Sequence, residues 1–71
     1  MRDKAFEKKV FDYIKLHEHE NIDLVNICIH FYTEHEKVVN TISTLRKLGY
    51  VGKQGITTLY YKYIIIKEYE N

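Results

Sequence analysis

The sequence predicts a mainly α domain with a small β-sheet, an α+β fold in which three helices precede a C-terminal β-hairpin. Apolar residues recur at three- and four-residue spacing as far as Leu48, the period of helices with one buried face. After Gly49 the period changes to two, and β-branched and aromatic residues dominate, as in strands. The 71 residues suffice for a single domain, residues 1–71, with a thin core.

Helix 1 is expected over residues 3–18, with Asp3 as its N-cap. Charged residues, Glu7 among them, are expected on its solvent face. The next segment, HEHENID, has no helical period and is interpreted as a connector in which Ile22 is a candidate for a strand of one or two residues. The buried stripe of helix 1 is predicted to contain Phe6, Val10, Tyr13 or Ile14, and His17, widened by Phe11.

Helices 2 and 3 are predicted on either side of a short turn. Asn21 or Asp23 caps helix 2, which runs through Tyr32 with Leu24, Ile27, Cys28 and Phe31 on its inner face. Thr33 and Glu36 have the spacing of a capping box at the start of helix 3, and Gly49 ends this helix in the left-handed conformation. The apolar ladder of helix 3 is Val38, Ile42, Leu45 and Leu48.

The hairpin is expected to begin with a strand at Tyr50 and Val51, to turn at residues 52–55, and to return as a strand over residues 57–66. Leu59, Tyr61, Tyr63 and Ile65 are predicted to face the helices, leaving Tyr60, Ile64 or Ile66 partly exposed. Exposed apolar strand surface usually marks an interface. We therefore expect a homodimer formed through helix 1 and the C-terminal strand.

The residues indicate no active site, metal site or cofactor site. Cys28 is the single cysteine, so the chain has neither an internal disulfide nor the cysteine pair of a structural zinc site. The two histidines of the HEHE run are two positions apart and would diverge on a helix. No nucleophile can be matched with a base and an orienting group. We expect no enzyme activity, no metal and no cofactor.

The N-terminus, MRDKAFEKKV, is charged from its second residue, and no segment approaches the roughly 20 apolar residues of a membrane span. A cytoplasmic location without membrane contact is therefore expected. The formal net charge is only +1, but basic residues outnumber acidic ones between Thr33 and Lys62. This excess is a mild indication of a polyanionic partner.

A resemblance to a known family rests on Ile27, Cys28 and Phe31 in helix 2, on Val38, Ile42 and Leu45 in helix 3, and on the closing run LRKLGYV. Together with the order of helix 2, a short turn, helix 3 and a hairpin, these residues resemble the winged helix-turn-helix family, and the resemblance covers nearly the whole chain. Two features depart from the family pattern. Tyr32 stands at the turn position where the family often has Gly, and the short wing has Lys53 as its only basic residue near the tip.

The resemblance implies a sequence-specific transcriptional regulator that binds double-stranded DNA, with a recognition helix at about 34–48 in the major groove and a hairpin wing at about 50–66. Asn40 is expected to contact a base, whereas Arg46, Lys47 and Lys53 are expected to hold phosphates. No small-molecule effector is evident, so regulation would be steric, and the single-domain size fits a viral, phage or plasmid origin. The full set of expected DNA contacts is Lys37, Asn40, Thr41, Ser43, Thr44, Arg46, Lys47 and Lys53.

An alternative function remains open. The near-neutral net charge favours a winged-helix module that binds another protein, through the Tyr/Ile strand or helix 3, and never binds nucleic acid.

Overall fold

The computed structural model describes residues 3–55 and 61–70. Within these residues the chain forms three helices and a three-stranded antiparallel sheet, which confirms the α+β class. Among them, no helix is long and apolar enough to cross a membrane. The elements are α1 (Lys4–Leu16), β1 (Asn21–Ile22), α2 (Leu24–Phe31), α3 (His35–Lys47), β2 (Val51–Gly55) and β3 (Tyr61–Ile65).

The sheet differs from the predicted C-terminal hairpin because a third strand joins it from between α1 and α2. The strand order is β1-β3-β2, so β3 is central: Ile22 of β1 pairs with Tyr61, and Val51 of β2 pairs with Ile65 on the other side. A two-residue strand is too short to show alternation, although the prediction had Ile22 as a candidate.

The predicted turn at 52–55 is also wrong, because these residues belong to β2. Gly52 serves close packing between strands: a Cβ there would lie 3.0 Å from Cγ1 of Ile64. Of the predicted inward residues, Tyr63 is buried and Ile65 is half-buried, while Ile66 is exposed. Part of the predicted strand lies outside the residues that the structure describes: positions 57–60, which include Leu59 and Tyr60, and the side chain of Tyr61.

Helix α1 begins as predicted, since the Asp3 side chain accepts a hydrogen bond from the Phe6 amide at 3.0 Å. Its stripe of Val10, Phe11 and Ile14 is fully buried. The helix ends at Leu16, two residues before the predicted end, because the chain turns through residues 17–20 to reach β1.

Glu7 was predicted on the solvent face of α1 but is only 3% exposed. The Tyr69 hydroxyl donates a hydrogen bond of 2.9 Å to the Glu7 carboxylate. Tyr69 reaches this position because the segment after β3 folds back along α1, where Lys15 and Glu68 also form an ion pair of 2.7 Å. Helical spacing alone cannot anticipate a buried carboxylate whose partner lies 62 residues away.

The turn between α2 and α3 is built differently from the predicted capping box. Tyr32 adopts the left-handed conformation, with φ 51°, and the Thr33 amide donates to the Cys28 carbonyl at 3.1 Å, which closes α2. Because Thr33 completes the end of α2, Glu34 becomes the N-cap of α3, and it makes no side-chain capping bond. The short turn was predicted correctly, but the residues that build it were not.

The end of α3 follows the prediction at Gly49, which has φ 83°. The Tyr50 amide donates to the Leu45 carbonyl at 3.0 Å, and the Gly49 amide donates to Arg46 at 3.1 Å. These two bonds are the usual closure of a helix by a left-handed residue. Leu48, predicted to be buried, is exposed because the chain leaves the helix at that residue.

The core lies where α1 and α3 pack on one another and on the sheet. Val38, Ile42 and Leu45 are buried as predicted, and Cys28 is a small partly buried residue against the same cluster. The Tyr69 ring lies 5.7 Å from the Phe11 ring, so the C-terminal segment contributes to the core. Dimerisation through helix 1 and the C-terminal strand stays a prediction.

Candidate nucleic-acid interface

The outer side of α3 carries a row of polar residues directly opposite its buried ladder. Positions 36, 40, 43 and 47 recur at the spacing that keeps residues on one face of a helix, and this face points away from Val38, Ile42 and Leu45. Glu36, Asn40 and Lys47 are exposed and Ser43 is half-buried. We call this row, Glu36, Asn40, Ser43 and Lys47, the polar ridge.

An open groove between α3 and β2 collects the basic residues of this region. Arg46 and Lys47 come from the last turn of α3, and Lys53 comes from β2. Gly49 turns the chain so that β2 runs beside α3, and this brings Lys53 near Arg46 and Lys47. This basic groove is lined by Ser43, Arg46, Lys47, Val51, Gly52 and Lys53, none of which is acidic.

A second open groove lies between α3 and the start of α1, and its charge is opposite. Asp3 and Glu7 contribute from α1, and Glu34 and Glu36 contribute from the start of α3, against the single cation Lys37. This acidic groove is lined by Asp3, Glu7, Glu34, Glu36, Lys37, Asn40, Thr41 and Thr44. The eight predicted DNA contacts are therefore divided equally: Lys37, Asn40, Thr41 and Thr44 line the acidic groove, and Ser43, Arg46, Lys47 and Lys53 line the basic one.

Lys37 is turned towards α1 rather than away from the protein. Its Nζ lies 3.7 Å from the Asp3 carboxylate and 4.5 Å from the centre of the Phe6 ring. The pKa of Asp3 is lowered, chiefly by the hydrogen bond from the Phe6 amide and further by the charge of Lys37. A partner that recruits Lys37 must compete with these contacts, although both charges are exposed and their pairing is weak.

The hydroxyls of the two threonines among the predicted contacts donate hydrogen bonds to backbone carbonyls of α3. Thr41 Oγ1 donates to the Lys37 carbonyl at 2.7 Å, and Thr44 Oγ1 donates to the Asn40 carbonyl at 2.9 Å. Each hydroxyl keeps only its accepting capacity for a partner. Asn40, by contrast, presents an exposed amide with both donors and an acceptor.

Part of this distribution of charge also stabilises the helix itself. Glu36 lies in the first turn of α3, and Arg46 and Lys47 lie in the last turn, where each sign complements the helix dipole. Helix stability explains this polarity along α3, but it does not account for Lys53, which belongs to β2 and adds its charge to the same groove.

The sequence did not reveal the acidic groove. Asp3 and Glu7 lie about 30 residues before α3, and only the packing of α1 on α3 brings them there. The amphipathic pattern of α1 placed Glu7 in solvent, so no local signal indicated a carboxylate beside α3.

Helix α2 exposes an apolar patch that was also not predicted. Val25 and Ile29 are exposed on its outer face, and Tyr32 beyond its end is 97% exposed. We call Val25, Ile29 and Tyr32 the α2 apolar patch; Tyr32 also borders an open groove that contains Glu34 and Lys37. Exposed apolar side chains of this kind are a candidate protein contact.

Comparisons with known proteins identify no relative: the chain matches no protein-family model, no curated protein and no solved structure.

Proposed function

We propose that this chain is a small winged helix-turn-helix domain that binds double-stranded DNA with sequence preference and regulates transcription sterically. Helix α3 is the recognition helix, placed in the major groove by its polar ridge, and β2 lies along the adjacent backbone. The basic groove carries the proposal, because three cations from two separate elements line one open surface.

The geometry of the helices supports this proposal. A three-residue turn, Tyr32 to Glu34, separates α2 from α3, and the buried ladder holds α3 so that its opposite face projects into solvent. The major groove of B-form DNA, about 12 Å wide, accepts a helix with its side chains. Arg46 and Lys47 on α3 and Lys53 on β2 line the basic groove beside the recognition helix, where DNA phosphates would lie in the proposed complex.

The test is titration of the protein with a mixed-sequence DNA duplex at several salt concentrations. If Arg46, Lys47 and Lys53 each neutralise one phosphate, log K falls linearly with log salt with a slope of about −0.9 per contact, so about −3 in total. Binding that is independent of salt, or absent at low salt, would contradict the proposal.

The apolar patch on α2 supports a second candidate function, a module that binds another protein. Val25, Ile29 and Tyr32 present exposed apolar side chains. The Tyr/Ile strand considered from the sequence is less suited to this role, because Tyr63 is buried and β3 has a neighbouring strand on both sides. The same titration separates the two functions, since a protein-binding module gives no salt-dependent association with DNA.

A further inference from the structure

The polar ridge of α3 presents a difficulty for binding a polyanion. Glu36 is exposed and lies on the same solvent-facing side of α3 as Asn40 and Lys47. A carboxylate that approaches a phosphate is repelled, so a helix that carries Glu36 at its front cannot rest on the DNA backbone with this residue. In the floor of the major groove, however, Glu36 would meet base edges rather than phosphates.

Those base edges include amino groups that donate hydrogen bonds. Cytosine presents its N4 amino group in the major groove, and a Glu carboxylate is a suitable acceptor for it. Adenine presents N6 as a donor beside N7 as an acceptor, a pair that matches the amide of Asn40. Among the residues that the structure describes, no hydrogen bond or ion pair engages the side chains of Glu36 and Asn40, so both groups are available.

The two ends of α3 carry side chains that suit different parts of the DNA. Lys47 and Arg46, at the C-terminal end, suit the phosphate backbone, whereas Glu36 and Asn40, nearer the N-terminal end, suit the floor of the groove. One turn separates Glu36 from Asn40, about 6 Å along the helix, compared with about 3.4 Å between successive base pairs. The two side chains therefore reach bases that are one or two pairs apart.

Resting on the DNA-binding function proposed above, we propose that Glu36 and Asn40 determine sequence preference by reading a cytosine and an adenine one or two base pairs apart. Glu36 accepts from the cytosine amino group, and Asn40 pairs with the adenine edge. Lys47, at the end of the same ridge, holds a phosphate and contributes no preference.

The experiment selects bound duplexes from a randomised pool with the wild-type chain and with two variants. Glu36→Gln replaces an acceptor-only group with an amide, which pairs with adenine, so the selected base changes from cytosine to adenine with a preference of about tenfold or more. Glu34→Gln is the matched control, since it removes the same charge two residues before Glu36, outside the ridge, at an N-cap position without a side-chain bond. It should strengthen binding to every duplex by one small factor and leave the selected sequence unchanged.

The outcomes separate the inference from the function on which it rests. If Glu36→Gln and Glu34→Gln select the same sequences as the wild type, Glu36 reads no base and the inference fails, while DNA binding stands. If none of the three chains retains any duplex at low salt, DNA binding and the inference fail together. Asn40→Ala adds an independent check: it should abolish the adenine preference, and an unchanged preference would overturn the role assigned to Asn40. Circular dichroism confirms that each variant keeps its helices.

Discussion

The two grooves on either side of α3 share a helix but differ in what their charges do. On the α1 side, Glu7 is buried and bonded to Tyr69, and Lys37 lies beside Asp3, so these side chains have partners within the protein. On the β2 side, Arg46 and Lys47 are exposed, and no ion pair within the described residues engages them. Asp3, Glu7 and Lys37 are therefore engaged mainly in contacts within the protein, whereas Arg46 and Lys47 are exposed to a partner.

The polar residues of α3 therefore do not all have the same surroundings or the same role. Eight residues were expected to form one DNA-contacting surface, but packing against α1 assigns half of them to an acidic environment. We therefore expect a separation of effects: changes to Arg46 and Lys47 in the basic groove should alter DNA affinity, whereas removal of the Tyr69 hydrogen bond to Glu7 should alter stability.

The largest effect is expected on the basic side. The double variant Arg46→Gln/Lys47→Gln should weaken duplex binding about a hundredfold at about 0.1 M salt, since each phosphate contact contributes roughly tenfold there, and should reduce the salt slope by about two. Fluorescence anisotropy measures both quantities. Lys4→Gln/Lys9→Gln is the control, because it removes two exposed charges from α1, and it should leave binding nearly unchanged. Equal losses for the two double variants would mean that binding follows net charge rather than the basic groove.

On the acidic side, Tyr69→Phe should lower the free energy of unfolding by about 1–3 kcal/mol. The variant removes the hydroxyl that donates to the buried Glu7 side chain, and the loss of a hydrogen-bond partner from a buried polar group costs roughly this amount. Urea unfolding measures the change, and duplex affinity should stay at the wild-type value. Tyr32→Phe deletes the same hydroxyl from a fully solvated side chain and should change stability by less than about 0.5 kcal/mol. Similar results for the two variants would contradict the structural role of the Glu7 bond.

The smallest effect concerns the two left-handed residues that frame α3. Tyr32→Gly should stabilise the protein by about 0.5–1 kcal/mol, since glycine adopts positive φ without the strain of a side chain and Tyr32 buries almost nothing. At the other end of α3, Gly49→Ala should destabilise the protein by about 1 kcal/mol. The cost is backbone strain alone, because an added Cβ meets no atom within 4 Å. Urea midpoints measure both. Destabilisation by Tyr32→Gly would show that the exposed Tyr32 ring contributes to folding, contrary to its position.

Local signals predicted most of the fold. The Asp3 cap, the ladder Val38, Ile42 and Leu45, and the glycine at the end of α3 each depend on residues a few positions apart, and all three are observed. Two of the errors depend on distant contacts. The burial of Glu7 needs Tyr69, and the third strand needs the pairing of Ile22 with Tyr61.

The site residues were predicted as members of one helix face, and their positions on α3 follow from the ladder. Their division into two charge environments could not be predicted, because it arises from the packing of α1 and β2 on opposite sides of α3. The capping box failed for a related reason: the left-handed Tyr32 and the closing bond of Thr33 determine where α3 starts, and the pattern of Thr33 and Glu36 contains no information about either.

The most direct measurement of the division between the two grooves is a map of backbone amide shifts in the protein by NMR as a DNA duplex is added. We expect the largest changes at Arg46, Lys47 and Lys53 and along the polar ridge, with the amides of the α2 apolar patch unchanged. Shifts confined to Val25, Ile29 and Tyr32, or no shifts at all at low salt, would contradict it.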